Sequence, residues 1–258
     1  MAENDSLKSL ALLVTNNTIT FLTQTKQNNN IFYSDFNTID YSSANNLHAI
    51  DNLKNTINTN LVLLQSYHKI YICYQSLDFT IVPNLYYKKD LLNKYQFTIN
   101  TTKYFYSINN SEIDTTFIFK PILPIHEVFT ELPNFSNAIY THSAQVFIKS
   151  IIPDKEKIQI FTQLINQKLE LCIYNKGIFT LYSIYDVIGD EDALYYIVNA
   201  MQQFELNPTE VDVILDQNLS LIQYITTHLP KYVQHVTKKS ENEKSELEYL
   251  LYKIFECE

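Results

Sequence analysis

The chain has very little glycine and neither arginine nor tryptophan. Its 258 residues include 2 Gly, and all 19 basic residues are Lys. Because glycine lets the backbone approach a phosphate closely, phosphate-binding loops depend on it. Neither Gly177 nor Gly189 has another glycine nearby, so the GxGxxG, GxxxxGKS/T and GxSxG motifs are absent. The lack of arginine also excludes bidentate clamps on phosphates or carboxylates.

Cysteines and long apolar runs are scarce as well. Cys73, Cys172 and Cys257 are widely spaced and form no CxxC pair, so neither a zinc ribbon nor a disulfide framework is indicated. Cys73 and Cys172 lie inside apolar runs and are predicted to be unreactive core thiols. No apolar run is long enough to span a membrane, and the first residues, MAENDSLKS, do not resemble a signal peptide. We therefore expect a cytoplasmic protein without direct membrane insertion.

The charge balance is acidic, with a formal net charge of -9. Nucleic-acid binding requires a basic surface that neutralises phosphates. The densest basic cluster is the pair Lys238-Lys239, which is followed closely by Glu241 and Glu243. The sequence therefore predicts no nucleic-acid partner. Apolar residues make up 46% of the chain and charged residues 18%, which is typical of a globular protein.

Two parts of the chain share one order of elements. Residues 10–24 and 160–174 align without a gap, and each pattern predicts two strands joined by a tight turn. A third strand, a helix and a short apolar strand follow in both parts. The third strands begin at Asn30 and Gly177, and the short apolar strands begin at Lys69 and Val211. The pattern predicts an internal duplication, with residues 1–153 as the first half and 154–258 as the second.

Helical spacing of apolar residues predicts the main helices. The predicted stripes are Leu47, Ile50, Ile57 and Leu61 in the first half, Leu194, Ile197, Met201 and Phe204 in the second, and Leu247, Leu250, Leu251, Ile254 and Phe255 in a docking C-terminal helix. Asp190 is the expected N-cap of the helix that carries Leu194 and Ile197. Between the halves, the pattern predicts strands near 101–107 and 115–119, a helix from Pro124 to Leu132, and a strand and a helix within 138–152. After them, it predicts a helix at 219–229 and a strand at 232–236.

This order of elements resembles the actin-like ATPase fold, an α/β architecture of two RNase H-like βββαβ halves with mixed sheets flanked by helices. More closely, four stretches resemble a bacterial family of unknown function that has this fold. They are Phe79–Tyr87, Ala138–Ile148, Gly177–Val211 and the terminal YLLYKIFECE. The resemblance implies a fold and no activity. Some relatives with this fold are adaptors in pilus assembly, secretion or cell division, so the resemblance implies a protein partner in a membrane-associated complex.

The nucleotide-binding elements of actin-like ATPases have no counterpart at the corresponding positions. Those enzymes carry an Asp-x-Gly turn between the first two strands of each half and a Gly-Gly adenosine loop in the second half. Here the turns read Thr15-Asn16-Asn17-Thr18 and Ile165-Asn166-Gln167-Lys168, and the loop reads Leu215-Asp216-Gln217-Asn218. The resemblance therefore implies a pseudo-ATPase scaffold with no catalytic residue, nucleotide cofactor or metal. A partner would bind at the cleft between the halves or at an edge strand, and a homodimer is an open alternative.

A second interpretation is a divergent nucleotide-binding protein or a kinase-like enzyme. Side chains would then replace the missing glycines, and Asn16, Asn17, Asn166, Lys168 and Asp216 would line the cleft. Lys168 is the only cation near either turn.

Other groupings of polar residues favour structural roles. The acidic run at Asp190–Asp192 could form a metal corner, but at a helix start it favours capping. Asp212 and Asp216 could form an acid–base pair, although Asp216 is expected to cap the following helix. His126-Glu127 and His142-Ser143 are catalytic residue types, but adjacent residues rarely present a nucleophile and a base to each other. We expect His142-Ser143, with an exposed Ser143, to form a helix cap.

Overall fold

The computed structural model describes residues 6–28, 30–41, 47–90, 104–215, 222–239 and 245–256. The chain forms two compact units. The first comprises Met1–Val146 and Leu251–Glu258, and the second comprises Phe147–Leu250. The boundary assigned from the sequence between residues 153 and 154 stays a prediction.

Eight strands lie among the described residues of the first unit. They are β1 (Leu7–Val14), β2 (Thr18–Gln27), β3 (Asn30–Asp40), β4 (Lys69–Tyr74), β5 (Phe79–Pro83), β6 (Tyr106–Asn110), β7 (Thr115–Phe119) and β8 (Ile139–His142). Five of them form a mixed sheet in the order β3-β2-β1-β4-β8, in which β1, β4 and β8 are parallel and β2 is antiparallel to both neighbours. The other three form an antiparallel sheet in the order β5-β7-β6. The sequence did not predict β5, and β6 begins later than the predicted strand at 101–107.

The helices α1 (Leu47–Thr59) and α2 (Leu123–Glu131) lie in the first unit. Leu53 and Ile57 of α1 are buried in the core together with Val128 and Phe129 of α2. The prediction that Leu61 belongs to the buried stripe of α1 was wrong, since Leu61 lies beyond the helix and is 79% exposed. The physical reason is Asn60, whose Oδ1 accepts hydrogen bonds from the N–H groups of Val62 and Leu63. This turn ends the helical path and buries Leu63 instead.

The second unit has a mixed sheet of its own. Its strands are β9 (Ile158–Ile165), β10 (Lys168–Asn175), β11 (Ile178–Asp186), β12 (Val211–Leu215) and β13 (His235–Lys238), in the order β11-β10-β9-β12-β13. As in the first sheet, three antiparallel strands are followed by two parallel ones. Thus the strands predicted for both parts of the chain are present, although β13 begins three residues later than expected. The internal duplication itself stays a prediction.

Four helices complete the described structure. They are α3 (Ser143–Lys149), α4 (Asp190–Gln203), α5 (Ile222–His228) and α6 (Glu246–Glu256). The chain passes from one unit to the other within α3 and again within α6. In the first unit, the end of α6 packs its aromatic rings on the sheet, with Tyr252 centred 4.1 Å from Tyr33 and Phe255 centred 6.0 Å from Tyr71. The end of this helix thus docks on the first unit, whereas its assignment to the second half, residues 154–258, stays a prediction.

The start of α4 corrects one detail of the sequence analysis. Asp190 is the first residue of the helix and not its cap. Asp192 instead turns back, and its Oδ2 accepts hydrogen bonds from the N–H groups of Ile188 and Gly189 at 2.8 and 2.9 Å. These bonds hold the pKa of Asp192 below its ordinary value. The acidic run Asp190–Asp192 therefore stabilises a helix start, as expected, and the carboxylate that does so is that of Asp192. At the other end, Phe204 follows the helix and is 38% exposed.

The two described thiols lie in the cores. Cys73 and Cys172 are both fully buried, and burial raises the pKa of Cys172 well above its ordinary value. A protonated buried thiol is a poor nucleophile. The prediction of unreactive core thiols is confirmed for this pair, whereas Cys257 lies outside the described residues.

Candidate functional site

Three parallel strands of the first unit end side by side. Val14 of β1 is paired with Tyr74 of β4, and Tyr74 is paired with His142 of β8. In open sheets with parallel strands, ligands bind outside the carboxyl ends of the strands. The candidate site is therefore the set of residues that end or follow these strands, namely 14–18, 74–76 and 142–145. We call this set the carboxyl edge.

The turn between β1 and β2 uses its own backbone amides. Oγ1 of Thr15 accepts hydrogen bonds from the N–H groups of Asn17 and Thr18 at 3.2 and 3.0 Å, and Thr15 N–H donates to the carbonyl of Thr18 at 3.0 Å. Tyr41 closes the turn from outside, because its hydroxyl donates to the carbonyl of Thr15 and its N–H donates to the carbonyl of Asn17. The side chains of Asn16 and Asn17 are exposed. The turn is thus a closed, self-bonded structure.

His142 is a buried helix cap. Its Nδ1 accepts a hydrogen bond from the N–H of Ala144 at 3.1 Å. In the neutral ring Nε2 must then carry the proton, and it donates to the carbonyl of Ser76 at 3.1 Å. Burial lowers the pKa of His142 to about 4. Both ring nitrogens are therefore engaged by the backbone, and the imidazole is not available as a base for Ser143.

Ser143 differs from the expectation. It was predicted to be exposed at a helix start, but it is fully buried at the first position of α3. His142, the last residue of β8, is also fully buried, so the start of α3 lies in the interior. The predicted helix cap at this position is confirmed, with His142 as the capping side chain.

Several buried polar groups at the carboxyl edge have no protein partner. They are Oγ of Ser76, Oγ of Ser143 and both amide atoms of Gln145, none of which makes a hydrogen bond within the part of the chain that the structure describes. A buried polar group without a partner costs about 1–3 kcal/mol. Such groups are normally satisfied by water or a bound polar molecule. A water or a small polar molecule would satisfy these donors and acceptors. The sequence indicates these groups only weakly, because all it shows is that polar residues directly follow two apolar strands.

A buried aromatic cluster lies beside this edge. The hydroxyls of Tyr74 and Tyr106 lie 3.0 Å from Nδ1 and 3.2 Å from Nε2 of His126, and the ring of Tyr140 stacks on that of Tyr106. Burial lowers the pKa of His126 and raises those of the tyrosines Tyr74 and Tyr106. Glu127 lies on the exposed side of α2. The structure therefore does not bring His126 and Glu127 together, and the histidine fills the core as a hydrogen-bonded neutral ring.

The second unit holds the other predicted site residues. Asn166 and Gln167 have φ angles of 50° and 59°, which form a two-residue hairpin turn of the left-handed kind. Lys168 pairs with Asp186 on the neighbouring strand β11. The cation proposed to bind phosphate is therefore already neutralised by a carboxylate. That Asn16 and Asn17 of the first unit line one cleft with Asn166 and Lys168 stays a prediction.

The remaining acidic candidate is the pair Asp212 and Asp216, of which the structure describes Asp212. Asp212 accepts a hydrogen bond from Oγ1 of Thr237 at 2.9 Å and lies 3.7 Å from Nζ of Lys157. Asp216 lies outside the described residues, and so does the rest of the loop that corresponds to the adenosine loop. Within the described ranges, no group of three or more His, Cys, Asp or Glu side chains is placed to hold a metal ion. The helices in these ranges are also too short or too polar to cross a membrane.

The comparisons with known proteins establish the fold. A family model described as protein of unknown function (DUF3822) matches residues 1–236. A Bacteroides thetaiotaomicron VPI-5482 protein with actin-like ATPase fold and unknown function is 17% identical, covers 95% of each chain and has a TM-score of 0.78. The predicted fold and the predicted likeness to a family of unknown function are both confirmed.

Two further similar structures come from a pilus system and a secretion system. A chain of the PilM–PilN type IV pilus biogenesis complex is 10% identical, covers 90% of this chain and 88% of that chain, and has a TM-score of 0.55. The cytoplasmic domain of EpsL, an inner membrane component of the type II secretion system of Vibrio cholerae, is 9% identical, covers 97% and 96%, and has a TM-score of 0.48. No curated protein sequence matches the chain.

Proposed function

Because the chain belongs to the DUF3822 family of proteins of unknown function and has the actin-like ATPase fold, we propose that it is a non-catalytic protein-binding scaffold, a pseudo-ATPase. The observation that carries this proposal is the closed turn between β1 and β2. In actin-like ATPases, the backbone amides of this turn hold phosphate. Here Oγ1 of Thr15 accepts the amides of Asn17 and Thr18.

A phosphate could bind at this turn only by displacing those bonds. Each intramolecular hydrogen bond contributes about 0.5–1.5 kcal/mol to stability, and Tyr41 adds two further bonds to the same turn. The turn has neither a glycine to open it nor a carboxylate to position a metal. The second turn supports the same proposal, since the charge of Lys168 is compensated by Asp186.

The proposed partner is a protein in the cytoplasm, in a complex that is associated with a membrane. The likeness to a chain of the PilM–PilN type IV pilus biogenesis complex supports a protein partner, because PilM and PilN form a complex with each other. A second copy of this chain is the alternative partner. The acidic net charge of -9 disfavours nucleic acid.

Calorimetric titration of the purified chain with ATP and magnesium tests the proposal. We expect no heat of binding up to millimolar nucleotide. Saturable binding in the micromolar range would contradict the proposal and support the divergent nucleotide-binding enzyme. Lys168→Ala and Asn16→Ala are then the informative variants, because Lys168 and Asn16 belong to the predicted nucleotide site. Ile178→Ala is the matched control, since this exposed residue lies outside the predicted site.

A second candidate function is the binding of a small polar molecule at the carboxyl edge. The unpaired atoms of Ser76, Ser143 and Gln145 favour it, because a ligand that binds the folded state and satisfies them raises the melting temperature. A thermal-shift screen of nucleosides, sugars and phosphate esters tests it. A true ligand raises the Tm of the wild-type chain and not that of Gln145→Leu. Compounds that raise the Tm of both proteins equally bind elsewhere, and a screen without any shift contradicts this function.

A further inference from the structure

We draw no further inference here: the strongest candidate, the open groove between β3 and the turn after α1 that is lined by Phe36 and Leu61, carries none because its charged residue Asp35 is already paired with Lys8 and nothing in the structure shows what covers it.

Discussion

The hydroxyl of Tyr74 lies 3.0 Å from Nδ1 of His126, and both side chains are fully buried. The other ring nitrogen of His126 is bonded to Tyr106, so the imidazole is held from two sides within the core. Because burial lowers the pKa of this histidine, it is neutral at pH 7. One ring nitrogen then donates a hydrogen bond and the other accepts one.

Removal of the Tyr74 hydroxyl should destabilise the first unit. In Tyr74→Phe, Nδ1 of His126 loses its partner, and a buried group without a partner costs about 1–3 kcal/mol. We expect a loss of that size in the free energy of unfolding, measured by urea denaturation. Tyr195→Phe serves as the control, since Tyr195 is 63% exposed. Equal stabilities of the two variants would show that the bond to His126 contributes nothing.

Acid should destabilise the fold through His142. Its pKa is about 4 in the folded chain, whereas an unfolded histidine has a value of 6.5. Between these values the unfolded state binds more protons, so the stability is complete above pH 6.5 and falls as the pH drops to 4. The expected loss from this residue is about 3 kcal/mol.

The variant His142→Asn isolates this contribution. We expect it to be less stable than wild type at pH 7, because it alters the cap of α3, but to lose less stability between pH 6.5 and pH 4. Urea denaturation over this pH range measures the difference. His68→Gln is the control, since His68 is exposed. A pH dependence of His142→Asn identical to that of wild type would contradict the assignment.

The start of α4 offers a test of which acid caps it. Asp192→Asn weakens the two bonds to Ile188 and Gly189, whereas Asp190→Asn removes only a charge near the helix start. We therefore expect Asp192→Asn to lower the melting temperature by a few degrees and Asp190→Asn to lower it less. Calorimetry of the two variants decides this, and the reverse order would restore Asp190 as the cap.

The closed turn between β1 and β2 depends on Tyr41. Burial raises the pKa of Tyr41, so its hydroxyl remains a donor to Thr15 at any pH near neutrality. Tyr41→Phe should lower the free energy of unfolding by about 0.5–1.5 kcal/mol. It should not create ATP binding, because Thr15 still accepts the turn amides. The half-exposed Tyr232 supplies the control Tyr232→Phe, and calorimetric binding of ATP by Tyr41→Phe alone would argue for a latent phosphate site.

The strands of the two large sheets were predictable because their signals are local. In β1, β2, β9 and β10, apolar runs are interrupted by Asn-Asn or Asn-Gln, and the turns fall at those residues. The end of α1 was missed because helical spacing continues to Leu61, and only the side-chain bonds of Asn60 stop the helix. A single polar residue outweighed a periodic pattern there.

The carboxyl edge was not predictable in detail because it is built by distant pairing. His142 and Ser76 are 66 positions apart, and the parallel pairing of β4 with β8 brings them together. Ser143 and Gln145 come directly after the paired strand β8 and are buried as well. Nothing in the sequence near these residues distinguishes a buried serine from an exposed one at a helix start.

The first unit is assembled from two separate stretches of the chain, and this has a consequence for its synthesis. Its sheet is complete once residue 146 has been made, but Tyr33 and Tyr71 await the rings of Tyr252 and Phe255. At about 5–20 residues per second, a ribosome needs roughly 5 to 20 s to reach those residues. The second unit, Phe147–Leu250, is synthesised during this interval and is complete just before these two rings are made. The nascent first unit therefore exposes an aromatic surface that a chaperone can recognise until the last helix emerges.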